Sequence, residues 1–227
     1  MREEQLFFLL QLAGGTFPAG GFSQSWGLET FVTDGRVANV RDCRKFLAVY
    51  LDAVIAACEG PVLREAVKYA AERNSGALSG LETLSLAMKL SKESRESSLR
   101  TGKALLRIAA EITEDAELAV FYDTYRQSGI TNASAFGIIC GRVGVCEKQA
   151  LEAYVFSTAN GIVQSAVKLV PLGNTEAQRL LLEMRPAMSE CVSKSMALDI
   201  SDITNFSPCL DLANIWHETL PVRLYMS

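Results

Sequence analysis

Three groups of residues in this chain are of types that can do chemistry. They are the glycine-rich stretch GGTFPAGGFSQSWGLE from Gly14 to Glu29, with Ser23 and Ser25 inside it; the solitary His217, followed by Glu218; and six cysteines at 43, 58, 140, 146, 191 and 209. Gly15 and Gly20 have the Gly-x4-Gly spacing of a phosphate-cradling loop. Such a loop also needs a lysine to reach the outer phosphates, a hydroxyl to hold magnesium and a strand before it. Here Gly20 is followed by Gly21 and Phe22, so the charge that would hold a nucleotide is missing. A serine nucleophile needs a base. His217 is the chain's one histidine, so a set made of Ser23 or Ser25 with His217 would have to join its two ends, and neither serine has a nucleophile-elbow pattern. An all-α hydrolase built on those residues is the competing reading, and it rests on residue types alone. Ser23 fits better as the N-cap of a helix running from Gln24 toward Val32, with Phe22 packing as a staple.

Metal chemistry is limited by the same scarcity. His217-Glu218 is a thin ligand set, no Cys-x2-Cys pair is present, and His217 reads as a surface or capping residue. The cysteines read as free thiols, with Cys43, Cys58 and Cys191 in step with apolar helical stripes.

A chain of 227 residues with 49% hydrophobic and 21% charged residues can bury a large core. The net charge of −4, without a dense basic run, argues against nucleic acid or an anionic membrane as partner. The start Met-Arg-Glu-Glu-Gln puts acids where a signal peptide needs positive charge, so a cytoplasmic location is expected. The apolar stretches are short or are broken by Gln164 and Lys168, and no transmembrane helix is expected.

Helical periodicity recurs throughout. Phe46, Leu47, Tyr50, Leu51, Val54, Ile55 and Cys58 form one stripe, with Asn39 and Asp42 placed to cap it and Gly60-Pro61 expected to interrupt or kink it. Further helices are predicted over 78–90 and 92–112, along the stripe from Leu151 to Leu169, and past Thr175 and Gln178 through a kink at Pro186. Ser94, Ser98 and Gly102 fall on one line at intervals of four and would let another element approach closely. Alternating strand patterns are absent. The prediction is a single all-α domain over 1–227, a bundle-like fold of about eight to ten helices, with a tail, 217–227, whose Leu220, Leu224 and Tyr225, together with the preceding Trp216, suit a binding surface.

Taken together, these segments resemble the urease accessory protein UreF family. The entrance, with Pro18, Gly20, Gly21, Phe22, Ser23, Ser25, Gly27 and Glu29, is similar to that family's signature. Three more segments agree in order: Arg95-Glu96-Ser97-Ser98 with Gly102, the Leu-Val-Pro-Leu-Gly turn ending in Pro171 and Gly173, and the tail His217-Glu218-Thr219 with Arg223-Leu224-Tyr225 and Ser227. The resemblance implies an all-α homodimeric adaptor that is not itself an enzyme and holds no stable cofactor. It would bind UreD (also called UreH) on apo-urease (UreABC) and recruit the GTPase UreG, nickel and GTP being handled by the wider complex. By the same resemblance, His217, Glu218, Arg223, Leu224 and Tyr225 would face UreD, and Glu29 and Lys168 would face UreG. The residues themselves leave other readings open: a helix-end salt bridge for Glu29, a snorkelling side chain for Lys168.

Overall fold

A computed structural model describes residues 2–20, 24–220 and 223–225, and among them there are helices and no strands. In chain order the helices are α1 (Glu3–Ala13), α2 (Leu28–Thr33), α3 (Val40–Tyr50), a π-helical segment (Leu51–Glu59), α4 (Gly60–Ala71), α5 (Ser75–Ala87), α6 (Lys92–Thr113), α7 (Ala116–Tyr125), α8 (Asn132–Arg142), α9 (Glu147–Leu169), α10 (Asn174–Glu183), α11 (Arg185–Ala197), a 3-10 turn (Ile200–Asp202) and α12 (Pro208–His217). The all-α expectation is met.

Local chemistry sets most of the boundaries. Asn39 caps α3 by accepting from the amides of Arg41 and Asp42, Asn74 caps α5, Ser91 caps α6 and Asp115 caps α7. Gly60-Pro61 does not break its helix. The π segment runs on into α4, where Pro61 occupies the first turn and needs no amide partner, so α3, the π segment and α4 form one rod, Val40–Ala71. That rod is long and apolar enough to cross a membrane, but 72% of its most apolar window is buried inside the protein, as in a core helix. Pro186 marks a break rather than a kink: α10 ends at Glu183, and α11 begins with the proline in its first turn. Thr175 and Gln178 have capping-box spacing, but Thr175 lies inside α10, and Gly173 caps the helix without a side-chain bond.

Helices α4 and α8 cross at the centre, with Val62, Leu63, Ala66, Ile138 and Ile139 wholly buried between their neighbours. The line of small residues on α6 works as a seat. Ser98 Oγ accepts the amide of Asn132 at 3.0 Å, and a Cβ on Gly102 would overlap the carbonyl oxygen of Ile130. The chain entering α8 therefore lies directly on α6.

Candidate functional site

Three elements converge near the C-terminal end of the described chain. Helix α2 begins at Leu28 rather than Gln24, because Trp26 and Gly27 both take left-handed backbone angles, φ 55° and φ 80°, and turn the chain just before it. Leu28 is fully buried, and Glu29 is drawn in beside it, only 4% exposed. Helix α12 buries Leu210, Ala213 and His217, spaced three and four residues apart, and Thr30 Oγ1 of α2 donates to Ala213 O at 2.9 Å. Glu93 lies in the first turn of α6, where the helix dipole favours an acid.

The side chains meet around His217, which is wholly buried, contrary to its expected surface position. Its Nε2 lies 2.9 Å from Glu29 Oε2 and its Nδ1 2.8 Å from Glu93 Oε2. Glu93 also accepts from Arg223 at 3.0 Å. The remaining capacity of Glu29 goes to the tail: Leu224 N donates to Oε1 at 2.7 Å and Tyr225 N to Oε2 at 3.1 Å. A buried carboxylate is tolerated only when its lone pairs are filled. Glu29 meets that condition by binding one imidazole and two tail amides, and this arrangement is a clasp.

The residues predicted to face two different partners are thus brought together. Glu29, which the resemblance set with Lys168 apart from the tail, is the clasp's centre. His217 belongs to the core rather than to a free tail, so the tail proper lies beyond α12. Tyr225 is buried, with Lys168 Nζ 5.7 Å from its ring centroid. Glu218 is exposed, and the exposed Leu212, Ile215, Trp216 and Leu224 leave apolar surface on and beyond α12. Lys168 lines a groove of about 320 Å³ together with Gly15, Thr16, Ser157, Asn160 and Gln164.

The other motif residues are structural in their surroundings. Arg95 donates to the carbonyls of Lys89 and Leu90 beyond α5, while Glu96 is exposed beside Lys92. Pro171 and Gly173 sit exposed in the turn before α10, and Pro18 and Gly20 in the loop after α1, Gly20 with φ 86°. Gly21, Phe22 and Ser23, and with them the expected cap and staple, lie outside the described residues. Ser25 is fully buried and makes no hydrogen bond to His217, whose two nitrogens face Glu29 and Glu93. The geometry therefore does not assemble a pair from Ser25 and His217.

A second polar cluster escaped the sequence reading. Lys89 Nζ donates to Glu59 Oε1 at 2.5 Å, Tyr154 OH to Glu59 Oε2 at 2.8 Å, and Asn132 Nδ2 to Tyr154 OH at 3.1 Å, all in the interior. Burial pushes Lys89 down, but the adjacent Glu59 carboxylate more than offsets it and holds the ammonium above its ordinary range. Burial, and then Glu59, push Tyr154 well above the usual phenol. Neither group is poised as a base near neutral pH. The cluster braces the π segment against α8, α9 and the loop between α5 and α6.

The cysteines behave as small apolar residues. Cys43, Cys58, Cys140 and Cys191 are buried, Cys146 and Cys209 are exposed, and all six are unpaired.

Comparison with known proteins agrees with this picture. The UreF family profile matches residues 37–185. The chain is 31% identical to the urease accessory protein UreF of Geobacillus kaustophilus (strain HTA426) over 227 residues, covering 100% of both chains. It is 30% identical over 221 residues to the protein of that name from Paenarthrobacter aurescens (strain TC1), covering 96% of each. With that of Bacillus sp. (strain TB-90) it is 28% identical over 225 residues, covering 98% of this chain and 99% of the relative.

Proposed function

The chain belongs to the UreF family of urease accessory proteins, which act in urease maturation, and on that premise we propose that it is an adaptor joining two partners. One is UreD (UreH) seated on apo-urease (UreABC), the other the GTPase UreG. Nickel is the cargo of the assembly, and GTP is hydrolysed by UreG at a time this chain helps to set. The protein works in the cytoplasm, as a homodimer, with no cofactor of its own.

The observation that carries this reading is the clasp. It holds Tyr225 inward while Leu212, Ile215, Trp216 and Leu224 remain 45%, 45%, 48% and 71% exposed. Apolar side chains clustered on a terminal helix and its ordered extension fit a protein-binding face. That face is assigned to UreD, with Glu218 and Arg223 at its rim. The groove lined by Lys168 is assigned to UreG, because a cation amid hydroxyls and amides suits an acidic partner. For self-association, the support is a third surface: Leu6, Phe7 and Leu10 of α1 and Phe156 of α9, the helix on which α1 packs, are exposed.

Affinity capture of the full chain co-expressed with its UreD, UreG and urease subunits tests the reading. Removal of 223–227 is expected to abolish UreD capture while His217 and the core remain, and Lys168→Glu to lose UreG while keeping UreD. Undiminished capture of both partners by both variants, or urease fully loaded with nickel when this chain is omitted, overturns it.

A further inference from the structure

The turn before α2 is wedged between two helices, and at each contact one residue lacks a side chain. Gly161 lies inside α9, where glycine is the poorest residue other than proline and its presence points to a packing need. A Cβ at Gly161 would overlap Cη2 of Trp26 and stand 3.1 Å from both Cζ2 and Cζ3. The outer ring of the indole thus rests on bare α9 backbone. On the opposite side, a Cβ at Gly27 would stand 3.1 Å from Asn214 Oδ1 and 3.7 Å from Ala213 Cβ, both on α12.

Two further contacts fix the approach to this turn. Gln24 O accepts from Ser165 Oγ, one turn beyond Gly161 on α9, at 3.0 Å, and Gln24 Nε2 donates to Thr101 Oγ1 of α6 at 2.5 Å. Trp26 has φ 55°, a backbone state that a residue with a large side chain keeps only when its surroundings impose it. Helix α2 starts two residues later, and Glu29 is in its first turn.

We propose that Gly161 is a positioning residue for the C-terminal tail: by admitting the Trp26 ring against α9, it sets where α2 begins and so aims the Glu29 carboxylate at His217, Leu224 and Tyr225. The turn of residues 24–27 then serves as a spacer between α9 and α12. Tail docking within the chain follows from this geometry alone; its effect on UreD capture rests on the adaptor reading above.

Hydrogen exchange on the full-length protein tests the proposal. In Gly161→Ala, the Leu224 and Tyr225 amides are expected to exchange at least about tenfold faster, while amides of α4 and α8 keep their protection. The second variant is Trp26→Phe/Gly161→Ala. Phenylalanine lacks the outer ring that meets the new Cβ, so the double variant is expected to return tail exchange to within about threefold of native. Unchanged tail exchange in Gly161→Ala, exchange rising equally in α4 and α8, or no recovery in the double variant each overturns the proposal. If Gly161→Ala frees the tail but UreD capture is unaltered, the positioning role stands and the adaptor face on the tail falls.

Discussion

His217 and Glu29 stand 188 residues apart in sequence and 2.9 Å apart in the fold, both buried. Their contact joins α12 to α2, and the second carboxylate, Glu93, brings in α6. The tail docks on what this junction leaves unfilled, the outer lone pairs of Glu29.

Glu29→Gln is expected to weaken the clasp at a specific point. The amide keeps one acceptor oxygen but turns an NH2 toward donors, leaving at least one tail amide or His217 nitrogen unmatched. A loss of about 1–3 kcal/mol follows from one unsatisfied buried group, measured by urea denaturation. Faster exchange at Leu224 and Tyr225 should accompany it.

How much of this was legible in the sequence depended on the range of the interaction. The stripe from Phe46 to Cys58 and the line Ser94, Ser98, Gly102 are local periodicities, and both marked surfaces that do pack. Asn39 was legible as a cap because its partners lie two and three residues away. The clasp has no such signal: nothing near Glu29 tells that its acceptors will be used by residues 217, 224 and 225. The family resemblance assigned Glu29 and the tail to different faces. The burial of Glu93 and Lys89 likewise has no local signal, because a charge's burial is decided by elements that approach from elsewhere. The start of α2 was misplaced for a different reason: Trp26 adopts a left-handed angle that local preference disfavours and packing on α9 imposes.

The buried pair Glu59 and Lys89 predicts strong non-additivity. Lys89→Met alone strands a carboxylate in the interior and is expected to cost about 3–5 kcal/mol. Combining it with Glu59→Leu removes both charges, so the double variant should lose less than the sum of the singles, with a coupling of about 1–3 kcal/mol. Urea unfolding of the three variants checks this.

Two glycines on neighbouring helices should respond to alanine with opposite sign. At Gly80 in α5 a Cβ meets nothing within 4 Å, so Gly80→Ala is expected to stabilise by up to about 1 kcal/mol through helix propensity. At Gly102 the new Cβ meets backbone oxygens of Ile130 and Thr131, which cannot rotate away. Gly102→Ala should therefore destabilise by about 2 kcal/mol or more, despite the same propensity gain. Paired thermal melts distinguish the two.

The thiols give a chemical and a pH prediction. A maleimide at neutral pH should label Cys146 and Cys209 in the native protein and the other four cysteines only after unfolding, counted by mass spectrometry. Burial, the largest cause in each case, pushes Cys43 from 9.0 up to about 11, and Cys58 and Cys191 up to about 12. The unfolded chain gives up these protons first. Stability should therefore hold below about pH 9 and fall above it, by up to about 1.4 kcal/mol per pH unit for each such thiol. Replacing Cys58 and Cys191 by alanine should flatten that alkaline slope in denaturation curves taken at several pH values.

The π segment within the long central rod makes chain length itself a structural variable. A π turn takes up about one residue more than an α turn. Deleting a single residue between Leu51 and Glu59 would let the rod rewind as ordinary α-helix with α3 and α4 kept nearly in phase, whereas the same deletion inside α4 would rotate whatever precedes it by about 100°. The π segment is thus slack in the winding of the rod: its wider turns, rather than any one side chain, absorb a surplus residue while both ends of the helix keep facing the core.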